Sequence, residues 1–64
     1  MVIINGTPAD AAGKTLSAFL CSAGYDTKRI AVEQNGLIVP KAEYDSVTLN
    51  DGDKIEIVSF VGGG

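Results

Sequence analysis

The constraint that shapes this chain most is an Asn-Gly pair set between apolar runs, and it occurs twice. Asn-Gly readily takes positive φ at both central positions of a tight turn, and the twist of such a turn matches that of two antiparallel strands. Asn35-Gly36 divides Ile30-Ala31-Val32-Glu33-Gln34 from Leu37-Ile38-Val39, which predicts a β-hairpin whose second arm ends at Pro40. Asn5-Gly6 follows the β-branched run Val2-Ile3-Ile4 and predicts a second turn after a first strand. The segment from Thr7 to Ala12 contains Pro8, whose missing N–H restricts it to a sheet edge if it pairs back.

Between the two turns the periodicity changes. Leu16, Phe19, Leu20 and Ala23 recur at i, i+3, i+4 and i+7, one apolar stripe of a short helix over about residues 16 to 23. Thr15 is placed to cap its first turn and Gly24 to close its last. After the second hairpin, Lys41 to Asp45 reads as an irregular turn and Val47-Thr48-Leu49 as a short extended piece. The cluster Asn50-Asp51-Gly52-Asp53 is a turn leading into a final strand, Lys54 to Val61. Lys54 and Glu56 face one side of that strand while Ile55 and Ile57 face the other. Val58 and Phe60 then fall on the charged side, so two apolar side chains point away from the core. A single helix covers one face of a four- or five-stranded sheet, which makes an α+β two-layer domain the economical packing.

Composition narrows the function. With 64 residues the chain buries only about 60% of its unfolded surface, enough for one core and little for a deep catalytic pocket. It has no histidine and one cysteine, which removes Ser-His-Asp and Cys-His triads and an internal disulfide. Eight acidic residues against five basic give a net charge of −3, which opposes binding to a phosphate backbone and favours a protein partner with a basic face. No run approaches the roughly 20 apolar residues of a membrane span, and the opening residues lack a basic, then apolar, leader pattern. A cytoplasmic protein without nucleic-acid or membrane partners is expected.

Three local patterns suggest chemistry and are better explained structurally. Gly13-Lys14-Thr15 resembles the end of a phosphate-binding loop, but Pro8 stands where that loop needs its first glycine; Thr15 as a helix cap accounts for the pattern. Asp51 and Asp53 lack the remaining ligands of a calcium loop. Cys21, at the margin of the helical stripe, has no thiol or imidazole partner to activate it, and a structural or incidental role is expected.

The end of the chain differs. At average glycine usage, Gly62-Gly63-Gly64 at a stated position arises by chance only about three times in ten thousand. A terminal carboxylate with no β-carbon beside it, on a thread without side chains, can enter a narrow channel in another protein's active site. Activated there as an acyl-adenylate, it becomes an electrophile that can carry a group covalently.

Taken in order and spacing, these signs resemble the thiamine-pathway sulfur carriers, the ThiS family of ubiquitin-like β-grasp proteins, over essentially the whole chain. The residues are the first strand into Asn5-Gly6, Thr15-Leu16 before the helix, and Asn35-Gly36-Leu37-Ile38-Val39-Pro40. To these are added Asn50-Asp51-Gly52-Asp53-Lys54-Ile55-Glu56-Ile57-Val58 and Val61-Gly62-Gly63-Gly64. A third terminal glycine and a helix poor in acidic residues depart from the expected pattern. The resemblance implies a β-grasp domain over residues 1–61, a mixed four- to five-stranded sheet with one helix on one face, and a flexible tail over 62–64. It further implies that the chain is no enzyme and binds no cofactor itself. A ThiF-like adenylating enzyme would use ATP to adenylate Gly64, sulfur would displace AMP to leave a thiocarboxylate, and a ThiG-like thiazole synthase would take the sulfur. Gly62 and Gly63 would thread the tail; independently of the resemblance, the outward Val58 and Phe60 beside that tail are expected to form a docking patch for a partner. The small subunit of molybdopterin synthase, a non-catalytic β-grasp binding module and a ubiquitin-like tag are the alternatives.

Overall fold

Both Asn-Gly pairs form the turns expected of them in the computed structural model, which describes residues 1–60. Asn5 and Gly6 have φ of 49° and 82°, and Asn35 and Gly36 have 53° and 85°. The first turn joins β1 (Val2–Ile4) to β2 (Thr7–Ala9) and the second joins β3 (Ile30–Gln34) to β4 (Leu37–Ile38). β5 (Lys54–Ser59) lies between the hairpins, parallel to β1 and antiparallel to β3, giving the order β2-β1-β5-β3-β4. Pro8 is on the edge strand β2, as its missing donor requires. A parallel β1–β5 pair needs a long crossover, and the intervening chain carries the helix and the second hairpin. One helix on a five-stranded mixed sheet is the β-grasp arrangement.

Helix α1 (Leu16–Ser22) ends one residue earlier than its periodicity suggests, because Ala23 is already the cap. Gly24, at φ 83°, follows it; its N–H donates to the Cys21 carbonyl and that of Tyr25 to the Leu20 carbonyl, a reciprocal closure of the last turn. Leu16 and Leu20 are fully buried against Val2, Ile4, Ile30, Val32, Ile55 and Ile57 from one face of the sheet. Phe19 is half-buried and Ala23 exposed, so the working stripe is narrower than the sequence pattern.

The stretch from Pro40 to Leu49 is more ordered than a turn reading allows. Lys41–Glu43 form a single 3-10 turn, as do Thr27–Arg29, the latter capped by the Asp26 carboxylate accepting from Lys28 N at 3.0 Å. Tyr44 and Leu49 both enter the core. Val47–Leu49 contributes one antiparallel bridge, Thr48 to Thr15, instead of a strand.

Along β5, Ile55 and Ile57 are buried while Lys54, Glu56 and Val58 are exposed, so the alternation read from sequence holds. The strand runs to Ser59; Val61, expected as its last residue, and the expected tail Gly62–Gly64 lie outside the described residues.

Candidate functional site

The residues that lead toward the C-terminal glycines are held by the middle of the sheet. β5 pairs with β1 at Lys54 and Ile55 and with β3 from Ile55 to Ser59, and the ladder to β3 continues past the strand end, where Phe60 N donates to the Arg29 carbonyl at 2.9 Å. The side of the sheet without the helix carries Ala31 opposite Val58, and Ile38 opposite Glu33. Val58 is 58% exposed, Ile38 66% and Phe60 42%.

Phe60 is the least exposed of the three because it has company. The Lys41 ammonium lies 5.8 Å from the centroid of its ring and also donates to the Thr27 carbonyl at 2.6 Å. Phe60, Ile38, Pro40 and Tyr44 line a shallow, mainly apolar concavity there. Val58 is thus exposed near the end of β5, and Phe60 is exposed just beyond it. The other site residues expected from sequence, Gly62, Gly63 and Gly64, lie outside the described residues.

Lys41 and Ile38 were not legible as parts of this face when Lys41 read as turn and Ile38 as one apolar residue of three. A signal for Ile38 exists: a two-residue turn at Asn35-Gly36 pairs Gln34 with Leu37 and Glu33 with Ile38, which puts Ile38 on the face of Glu33. For Lys41 there is none, because its approach to Phe60 depends on the 3-10 turn.

The competing sites are occupied by structural roles. Around Gly13-Lys14-Thr15, Gly13 N donates to the Leu49 carbonyl, Lys14 N to Ala11, Leu16 N to Val47 and Ser17 N to Tyr44. Thr15 Oγ1 accepts from Ala18 N at 3.2 Å, so it is the cap and these N–H groups are not free to cradle a phosphate. Asp53 accepts from Asn35 Nδ2, Gln34 Nε2 and Asn50 N at 2.9 to 3.0 Å, and Asp51 pairs with the Met1 ammonium. The Asn35 side chain, then the Asn50 N–H and the Gln34 side chain, hold the Asp53 carboxyl below its ordinary value against a smaller opposing effect of burial. No cluster of His, Cys, Asp or Glu suited to a metal occurs among the described residues. Cys21 is exposed, so it does not serve as a small core hydrophobe. No helix among the described residues is long and apolar enough to cross a membrane.

Comparison with known proteins decides the family: the ThiS family profile matches residues 2–64. The chain belongs to the ThiS family. It is 38% identical over 64 residues to the sulfur carrier protein ThiS of Thermus thermophilus, covering the whole of both chains. The crystal structure of the thiamine biosynthesis protein ThiS from Geobacter metallireducens superposes with a TM-score of 0.81 at 28% identity, covering 98% of this chain and 97% of that one. A longer protein of Paramagnetospirillum magneticum, named thiazole synthase, is 48% identical over 64 residues, covering 98% of this chain but only 20% of that protein. The chain thus spans about a fifth of the thiazole synthases it matches. The relative from Thermus thermophilus and one from Bacillus subtilis, 46% identical over 50 residues, are both named sulfur carrier protein ThiS.

Proposed function

We propose that this ThiS-family chain carries sulfur as a thiocarboxylate on its C-terminal Gly64. An adenylating enzyme joins AMP from ATP to the Gly64 carboxylate with loss of pyrophosphate; the outer sulfur of a donor persulfide then displaces AMP to form an acyl disulfide. A second thiol cleaves its S–S bond, forming a disulfide with the donor thiol and leaving the thiocarboxylate on Gly64. Thiazole synthase accepts that sulfur for the thiazole ring of thiamine. Gly62 and Gly63 supply a thread narrow enough for both active sites. Val58 and Phe60 dock the partners, and the encounters take place in the cytoplasm.

The observation that carries this reading is the union of a ThiS-family domain with the Gly62-Gly63-Gly64 end of a chain whose last strand lies in the middle of the sheet. Pairing of this strand with its neighbours holds the last described residues, through Phe60, beside the proposed docking face. The chemistry needs nothing more from this chain, because ATP and the catalytic groups belong to the partners. Support for thiazole synthase as the acceptor comes from the relative in which a homologous stretch forms part of a protein of that name. The test is removal of Gly63 and Gly64: the truncated chain is expected to fold and dock but to deliver no sulfur to thiazole synthase. Undiminished delivery by the truncated chain contradicts the proposal.

A further inference from the structure

On the helix-free face, Glu33 of β3 stands directly opposite Glu56 of β5. The ladder bonds Asn35 N to Lys54 O and Phe60 N to Arg29 O fix the alternation between these strands, and Glu33–Glu56 falls in phase with both. Such hydrogen-bonded pairs hold their Cα atoms about 5.5 Å apart, and like charges at that spacing oppose folding. The ion pairs among the described residues are Met1 with Asp51 and Arg29 with Asp26, so no cation of this set neutralises the two glutamates. Lys54 shares the face without reaching either of them in an ion pair. A free-standing fold gains nothing from this arrangement.

The surroundings say what it is suited to. Ile38, Glu33 and Glu56 form one row across β4, β3 and β5, and Ala31 and Val58 form the next. Glu33 is half-buried, with exposed Ile38 opposite it on β4, and exposed Val58 lies in the neighbouring row. Any protein that covers Ile38 and Val58 must also strip water from Glu33 and Glu56, which is unfavourable unless it brings a positive charge. Arginine fits better than lysine, because its planar guanidinium offers five donors and can engage two carboxylates at once, while its stem and face tolerate apolar neighbours.

We propose that Glu33 and Glu56 together receive an arginine of thiazole synthase, set among apolar side chains that cover Ile38, Ala31 and Val58. The inference rests on the sulfur-carrier reading and adds the partner's chemistry and two specificity-determining residues. Thiazole synthase is chosen because a homologous stretch exists within proteins of that name, where linkage in one chain holds the two surfaces at high effective concentration.

The experiment titrates the full chain with thiazole synthase, using Glu33→Gln, Glu56→Gln, the double variant and Val58→Ser, with a thermal melt and a salt series on each. Expected are losses of at least about tenfold in affinity for each glutamine variant, and a double variant less than the sum of the two because both act on one arginine. Its salt dependence is shallower than that of the parent, and no glutamine variant melts below the parent, since repulsion has been relieved. If both glutamine variants bind within twofold of the parent while Val58→Ser binds weakly, the arginine is contradicted and the docking face stands. If Val58→Ser also binds like the parent, both the arginine and the docking role of this face are contradicted. If the parent does not bind thiazole synthase at all, the sulfur-carrier reading fails and the arginine with it. A glutamine variant that melts lower with unchanged affinity shows the pair to be structural and also overturns the proposal.

Discussion

The side chain of Asn5 closes a ring with the backbone of Ile57: its Oδ1 accepts from Ile57 N at 2.7 Å and its Nδ2 donates to the Ile57 carbonyl at 3.1 Å. β1 turns away at Gly6, yet β5 continues, and the Asn5 amide stands in for the missing strand residue. The second Asn-Gly turn does the same on the other side, where Asn35 Oδ1 accepts from Lys54 N at 2.9 Å. Both hairpin asparagines therefore fasten the strand that leads toward Gly62-Gly63-Gly64.

Asn5→Ala leaves a part-buried N–H and carbonyl of Ile57 without protein partners and puts a β-carbon residue at positive φ. The expected loss is about 2 kcal/mol of stability, or roughly 8–16 °C in a domain of this size. Asn5→Asp keeps the acceptor for Ile57 N and loses the donor, so its melting temperature should lie between the two. Thermal melts of all three proteins check the order; an alanine variant as stable as the parent contradicts the clamp.

Asp53 makes stability depend on acid. Its folded carboxyl titrates below the unfolded value of 3.8, so its contribution is present above that value and is lost as pH falls through the lower folded one. The melting-temperature gap between the parent and Asp53→Asn should be constant from about pH 7 to about pH 5 and close progressively below about pH 4. A gap that widens on acidification reverses the sign and contradicts the assignment.

Phe60→Ala separates docking from packing. The ring's contact with Lys41 is at an exposed site, worth about 0.5–1 kcal/mol, so its removal lowers the melting temperature only slightly. Partner anchors of this kind commonly cost more than about 2 kcal/mol on truncation. Affinity for the adenylating enzyme or thiazole synthase should fall by more than about tenfold. A large fall in melting temperature with unaltered affinity assigns the ring to the core.

Much of the fold was legible because its signals are local. Asn-Gly needs only its own backbone preference to make a turn, and the alternation from Lys54 to Val58 needs only the pleat of one strand. Leu16 and Leu20 likewise announce a buried helix face. The parallel contact of β1 with β5 joins residues about fifty positions apart, and no local pattern encodes it. Tyr44 reads as a turn residue for the same reason: the 3-10 turn at Lys41–Glu43 rotates it inward against elements distant in sequence. The exposure of Val58 and Phe60 followed from alternation. The Glu33–Glu56 pair required the β3–β5 register, which the sequence alone does not fix. The cross-strand pairing of the two glutamates was therefore invisible until the sheet was assembled.

The most direct measurement is the intact mass of the chain, with fragmentation, after incubation with its adenylating enzyme, ATP, a persulfide sulfur source and a thiol reductant. The account predicts a gain equal to sulfur replacing one oxygen, localised to Gly64, and the same gain in Cys21→Ala, since Cys21 is exposed and has no activating partner among the described residues. An unmodified Gly64 with the added mass on Cys21 or Lys14 would contradict it.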